Sequence, residues 1–294
     1  MNLSGSICAL ATPFDTDGKL DLDAFARLVE RQIQGGTQGV VIAGSTGEAH
    51  ALSPAEFDEL VAFGVRLVGG RIPVIVGTGG ANTTKTIATT QRARQLGADA
   101  ALVVTPYYVR PTQDGLHAHY VAIADSADVP IILYNVPGRT GCDLLPSTVA
   151  RLAAHPGIVG IKEAVADPLR VADLLALRCD AFHVLSGDDP TALRSLLAGA
   201  DGVVSVANNL VPGAFRALCD AARAGRRDEA TVLDARLQPL FDALAVESNP
   251  IPLKWGLSLQ GYGSASPRLP LTELSPNHRD RLRDLLMNLQ DAAV

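Results

Sequence analysis

The feature that most constrains the fold is a succession of short, continuously apolar runs. SICALAT (6–12), GVVIAG (39–44), PVIVGT (73–78), AALVVTP (100–106), PIILYN (130–135), VGIKEA (159–164), FHVLSGD (182–188) and GVVSV (202–206) are eight stretches of strand length, recurring every twenty to thirty-odd residues. Each carries a continuous apolar block instead of an alternation, the pattern of parallel strands covered on both faces. The spacing leaves one helix and two loops between successive runs. Helix starts fall in those gaps. Ser53-Pro54-Ala55-Glu56 reads as a capping box with proline at the first helical position, and Asn82 as the cap of a helix that stops at Gly97. Asp167-Pro168 and Asp189-Pro190 read as two further openings. Eight evenly spaced units predict an α/β fold, a (β/α)8 TIM barrel over residues 1–211. A doubly wound sheet is the competing arrangement.

Past Val206 the strand signals stop. Residues 212–247 read as two helices broken near Gly225, and Pro250, Pro252, Pro267 and Pro270 punctuate the segment beyond them. RDRLRDLLMNLQ (279–290) reads as a final amphipathic helix. Residues 212–294 are therefore expected to form a C-terminal helical extension packed on the barrel.

Composition narrows the partners. A chain of 294 residues that is 47% hydrophobic and 19% charged can bury a large core. Its net charge of −6 argues against nucleic acid or an anionic membrane as partner. No apolar run approaches the ~18 residues of a membrane span, and MNLSGSICALATPF lacks the pattern of a signal peptide, so a cytoplasmic location is expected. Cys8, Cys142, Cys179 and Cys219 form no C-x-x-C pair, and the histidines show no H-E-x-x-H spacing. Buried, reduced thiols and no metal site are expected. His117 and His119, two apart on a helix predicted over 113–126, read as surface residues.

In such barrels chemistry gathers at the carboxyl ends of the strands. Those ends carry Thr12, Ser45-Thr46, Thr78, Tyr107-Tyr108, Tyr134-Asn135, Lys162-Glu163, Asp188 and Ser205. Hydroxyls and phenols dominate, with a single amine among them. Lys162 ends an apolar run, where burying an ammonium is costly. Either it snorkels out to pair with Glu163, or it is buried as a nucleophile able to attack a carbonyl. Tyr134 is either a core tyrosine or a proton relay beside that amine, and Arg139 either a solvated loop charge or a carboxylate clamp. GSTGEA (44–49) is either a plain connection or a turn whose amides hold a small anion.

Taken together, GSTGEA (44–49), VTPYYVRP (104–111), YNVPGRTG (134–141), GIKEA (160–164), LSGDD (185–189), GVVSV (202–206) and NPIPLKW (249–255) resemble the dihydrodipicolinate synthase/N-acetylneuraminate lyase family. The likeness runs nearly end to end. The resemblance implies a class I aldolase with no cofactor, forming a covalent imine between Lys162 and pyruvate. It implies Tyr134, Ser45 and Tyr108 as a hydroxyl relay, with Tyr108 supplied by a neighbouring subunit. By the same resemblance Thr46, Arg139, Val204 and Gly187 bind substrate, Val204 through its backbone carbonyl. Arg139 and the Tyr107-Tyr108 pair before Arg110-Pro111 are similar to the synthase branch, whose second substrate is L-aspartate 4-semialdehyde on the route to diaminopimelate and lysine. A homo-oligomer, a dimer of dimers, is implied. A related aldolase, lyase or dehydratase acting on a 2-keto sugar acid is the nearest alternative, and a non-catalytic keto-acid-binding barrel a distant one. Two departures stand out. Ser45 replaces the threonine common in synthases, and Pro54, Phe57 and Lys85 occupy the positions at which lysine-inhibited members bind the inhibitor. A cation at position 85 should repel the inhibitor's ammonium group, so weak or absent inhibition by lysine is expected.

Overall fold

A computed structural model describes residues 3–291. All eight apolar runs are strands: β1 (Gly5–Ala9), β2 (Gly39–Ile42), β3 (Val74–Gly77), β4 (Ala100–Val104), β5 (Ile131–Asn135), β6 (Ile158–Glu163), β7 (His183–Ser186) and β8 (Gly202–Ser205). They form a closed barrel in chain order, and parallel pairing of Ile7 with Val204 is one rung of the seam between β1 and β8. The doubly wound alternative is thereby excluded. Closure leaves no strand edge exposed. Inward-facing Ile7, Val41, Ile75, Leu102, Ile132, Leu185 and Val204 fill the barrel's interior. The outward faces pack beneath a helical ring.

That ring follows the strands: α1 (Leu22–Gln34), α2 (Pro54–Val68), α3 (Thr83–Gln95), α4 (Gln113–Ala127), the single turn α5 (Pro137–Thr140), α6 (Pro146–Ala153), α7 (Pro168–Leu175), α8 (Ala192–Leu197) and α9 (Pro212–Arg223). Beyond it lie α10 (Arg227–Leu244), α11 (Ile251–Leu259) and α12 (Pro276–Asp291). The Ser53–Glu56 capping box forms in both directions, and Asn82 and Asp167 accept the N–H groups of Lys85 and Leu169. Among the described residues no helix is long and apolar enough to cross a membrane.

Several local expectations are corrected. Asp189 caps nothing: its carboxylate accepts the N–H groups of Val206 and Ala207 at 3.0 and 2.8 Å, tying β7 to the end of β8, and α8 begins only after Thr191. Of the prolines that punctuate the segment after 247, Pro250 stands at the N-cap of α11 and Pro252 in its first turn, where proline fits. His119 is buried, its Nδ1 against the Thr83 hydroxyl at 2.9 Å, while Cys179 is exposed. Finally, α9 follows β8 and packs on β1 and α8, as the eighth barrel helix should. The expected division at 211/212 thus falls inside the last β/α unit, and we propose that the extension begins with α10.

Candidate active site

Side-chain alternation along β5 and β6 decides the fate of the lysine. Tyr134 pairs with Lys162 across the two strands and Asn135 pairs with Glu163, so the first pair faces the barrel interior and the second faces out. Lys162 is buried, with its Nζ 4.3 Å from the centre of the Tyr134 ring. Among the described residues its amine has no carboxylate partner. The snorkelling alternative fails because Glu163 turns the other way. Its carboxylate accepts from the Asn135 amide at 3.1 and 3.2 Å and from the Val165 N–H at 2.8 Å, and lies 3.6 Å from Arg170 of α7. Asp143 closes this outer network, bound to Arg170 at 2.6 Å and to Asn135 at 2.9 Å. Burial pushes the Glu163 carboxyl up to about 6, against the pull of those donors.

The inward residues open on a cavity of about 640 Å³ at the carboxyl ends of the strands. That is ample for two small substrates. Ser45, Thr46, Tyr134, Arg139 and Lys162 all line it, with Tyr107 and Thr140. Ser45 is exposed to the cavity and Thr46 buried beside it, in the turn after β2. The backbone N–H groups of both donate to nothing among the described residues, so two neighbouring donors are free for an anion. Arg139 projects from the Pro137-Gly138 turn without an acidic partner among the described residues. A free guanidinium at a cavity wall can take a carboxylate bidentately.

The remaining expected residues lie outside the lining. Val204 sits in the barrel interior, 2% exposed. Gly187 is held beside the lysine by its N–H bond to the Glu163 carbonyl at 2.7 Å. A β-carbon there would meet Lys162 Cε at 2.8 Å, so its smallness makes room for the lysine stem. Tyr108, 91% exposed and at a φ of +73°, does not line its own chain's cavity. Among the described residues no three acidic, histidine or cysteine side chains are grouped as metal ligands.

Residues that sequence reasoning passed over hold the turn 43–48 from behind. Lys254 of α11 is buried and bonds Glu48 at 2.6 Å, and Asn249 donates to the Thr46 hydroxyl at 2.9 Å. Burial pulls the Lys254 amine below its ordinary value while Glu48 pulls it back. The signal is present in the chain: lysine inside IPLKWGLSL is the same anomaly as lysine inside GIVGIKEA.

A closed barrel with a buried, unpaired lysine beside a tyrosine at its carboxyl-terminal mouth defines a Schiff-base aldolase type of site. The model of the Dihydrodipicolinate synthetase family matches residues 2–289, and the chain belongs to that family. A 4-hydroxy-tetrahydrodipicolinate synthase of Xanthomonas axonopodis pv. citri (strain 306) is 59% identical over 96% of this chain and 94% of its own. Among solved structures, the chloride-inhibited dihydrodipicolinate synthase of Acinetobacter baumannii complexed with pyruvate superposes with a TM-score of 0.96 at 45% identity, covering 98% of this chain and 99% of that one. A monomeric dihydrodipicolinate synthase variant matches with a TM-score of 0.95 at 40% identity, covering 98% and 97%.

Proposed function

We infer that the chain is a 4-hydroxy-tetrahydrodipicolinate synthase, condensing pyruvate with L-aspartate 4-semialdehyde in diaminopimelate and lysine biosynthesis. The observation that carries this reading is the unpaired Lys162 amine, buried at the barrel mouth against the Tyr134 ring. The pyruvate carboxylate is held by the free amides of Ser45 and Thr46, which leaves its keto carbon facing Lys162. The amine attacks that carbon, and the carbinolamine loses water to give the imine. Tyr134, whose hydroxyl has no partner among the described residues, carries the protons of both steps. The cationic imine draws electrons from the methyl group, a proton leaves, and the resulting enamine attacks the aldehyde of the second substrate. Arg139 grips the carboxylate of that substrate. The substrate's own amine then displaces Lys162 and closes the ring, freeing the lysine for another turnover. No cofactor enters this scheme, and it operates in the cytoplasm.

Tyr108 completes the relay with Ser45 and Tyr134 from a second copy of the chain. Its exposure, its left-handed backbone and the exposed Tyr107 and Val109 beside it support a contact surface there. The assembly is then a homo-oligomer, with a dimer as its functional unit and a dimer of dimers as its full form.

Replacing Arg139 separates this reading from a 2-keto sugar acid aldolase. Arg139→Ala should leave pyruvate imine formation intact and lower kcat/KM for the semialdehyde by about 100-fold, the loss of a charge-assisted clamp. Unchanged semialdehyde turnover would remove the synthase assignment.

A further inference from the structure

The turn that faces the cavity is gripped from outside the barrel. Ala43 and Glu48, which bound it, both lie at φ +52°, a left-handed conformation that side-chain-bearing residues rarely adopt. Its internal bonds are long: Glu48 N–H to the Ser45 carbonyl and Ala49 N–H to the Gly44 carbonyl, each at 3.2 Å. Shorter bonds come from elsewhere. The Thr12 hydroxyl donates to the Gly47 carbonyl at 2.7 Å, and Asn249 donates to the Thr46 hydroxyl at 2.9 Å. Glu48, wholly buried, receives Lys254 Nζ at 2.6 Å and the Arg268 N–H at 2.8 Å. Lys254 also donates to the Thr12 carbonyl at 3.2 Å, and the Phe14 ring lies 4.0 Å from its Nζ and 4.1 Å from the Arg268 guanidinium.

We propose that Asn249, and Lys254 through Glu48, are positioning residues for the first substrate. The C-terminal extension holds the Ser45 and Thr46 amides where the pyruvate carboxylate arrives. The inference rests on the pyruvate reading above and extends it to residues that touch no substrate. A buried ion pair adds little net stability over an apolar pair of equal volume, whereas its directionality fixes one geometry. Here the geometry fixed is that of a strained turn carrying two unpaired donors. Without its anchors the turn has less strained conformations to adopt, and the two unpaired amides leave their present positions. Asn249 and Lys254 thus act on pyruvate affinity and not on the second substrate, whose clamp stands on a different loop after β5.

The test uses the full-length chain and reads three quantities: half-saturation by pyruvate in borohydride trapping, KM for the semialdehyde, and Tm. Asn249→Ala should raise the pyruvate half-saturation about tenfold, the scale of one lost oriented bond, with the semialdehyde KM within about twofold. In a Thr46→Val background, where the hydroxyl is already gone, adding Asn249→Ala should change nothing further. Lys254→Met alone strands a buried carboxylate and endangers folding, so Glu48→Gln with Lys254→Met is the second variant, again expected to weaken pyruvate alone. The inference is overturned if the pyruvate half-saturation stays within twofold in both variants. It is equally overturned if the Asn249 effect adds in full to that of Thr46→Val, or if both substrates weaken together as Tm falls. Absence of any trapped pyruvate on Lys162 in the unaltered chain would instead bring down the functional reading, and this inference with it.

Discussion

Lys162 and Lys254 begin from the same chemical problem, an ammonium placed within apolar sequence, and the fold resolves it in opposite ways. Lys254 receives a buried carboxylate and two further oriented neighbours; Lys162 receives a tyrosine face and open space. Gly187 is what keeps that space open. A methyl group there would sit 2.8 Å from Lys162 Cε, 3.0 Å from Cγ and 3.2 Å from the Glu163 carbonyl oxygen, and only the lysine stem is free to yield. Gly187→Ala should therefore fold normally and slow pyruvate trapping at least about tenfold, a loss of about 1.4 kcal/mol of transition-state stabilisation. A trapping rate within twofold of the unaltered chain would show that the stem has slack. From sequence, Lys162, Tyr134, Ser45, Thr46 and Arg139 can be chosen because each stands at a strand end or in the turn beyond it. The room supplied by Gly187 cannot be read there, because it depends on β7 and β6 lying side by side.

At the scale of elements, the paired rungs of β5 and β6 divide labour between their faces. Inside they present Tyr134 and Lys162; outside, Asn135 and Glu163 join Asp143 and Arg170. The outer network carries a pH signature. Burial raises the folded-state pKa of Glu163 from 4.5 to about 6, so between those values the folded chain binds more protons than the unfolded one. Stability must then fall as pH rises through that window, by about 2 kcal/mol from this group. Glu163→Gln removes the dependence: relative to the unaltered chain it should gain about 2 kcal/mol on going from pH 4.5 to pH 7, read from denaturant midpoints at the two values. A constant difference across the range would contradict the account. The strands themselves are legible because continuous apolar runs identify buried parallel β-structure locally. Asp189 misleads for the complementary reason. Its local pattern matches the true cap Asp167, but its partners at 206 and 207 belong to another strand's end.

For the molecule as a whole, the proposal is that a second copy of the chain completes the site through Tyr108. Tyr108 stands 91% exposed in a turn with the exposed Val109, which predicts burial by a second copy. Sedimentation at micromolar concentration should show at least a dimer, and Tyr108→Phe should keep that assembly while lowering kcat about tenfold or more through the lost hydroxyl. A fully active monomer would contradict this reading. Lys85 lines the same cavity, with Phe57 and His50, and has no acidic partner among the described residues. An ammonium-bearing inhibitor meets a like charge there, so L-lysine should inhibit weakly or not at all. A Ki below about 1 mM, a free energy of only about 4 kcal/mol, would contradict that. These assembly-level features are legible only through motifs, since no periodicity in one chain reports what covers its surface.

The proposed chemistry depends on a covalent bond between the Lys162 amine and pyruvate. Borohydride reduction in the presence of pyruvate, followed by peptide mass spectrometry, tests it most directly. A reduced pyruvate adduct on the peptide containing Lys162, absent from Lys162→Arg, is the predicted result; an unmodified Lys162 peptide, or an adduct on Lys254 or Lys85 instead, would contradict it.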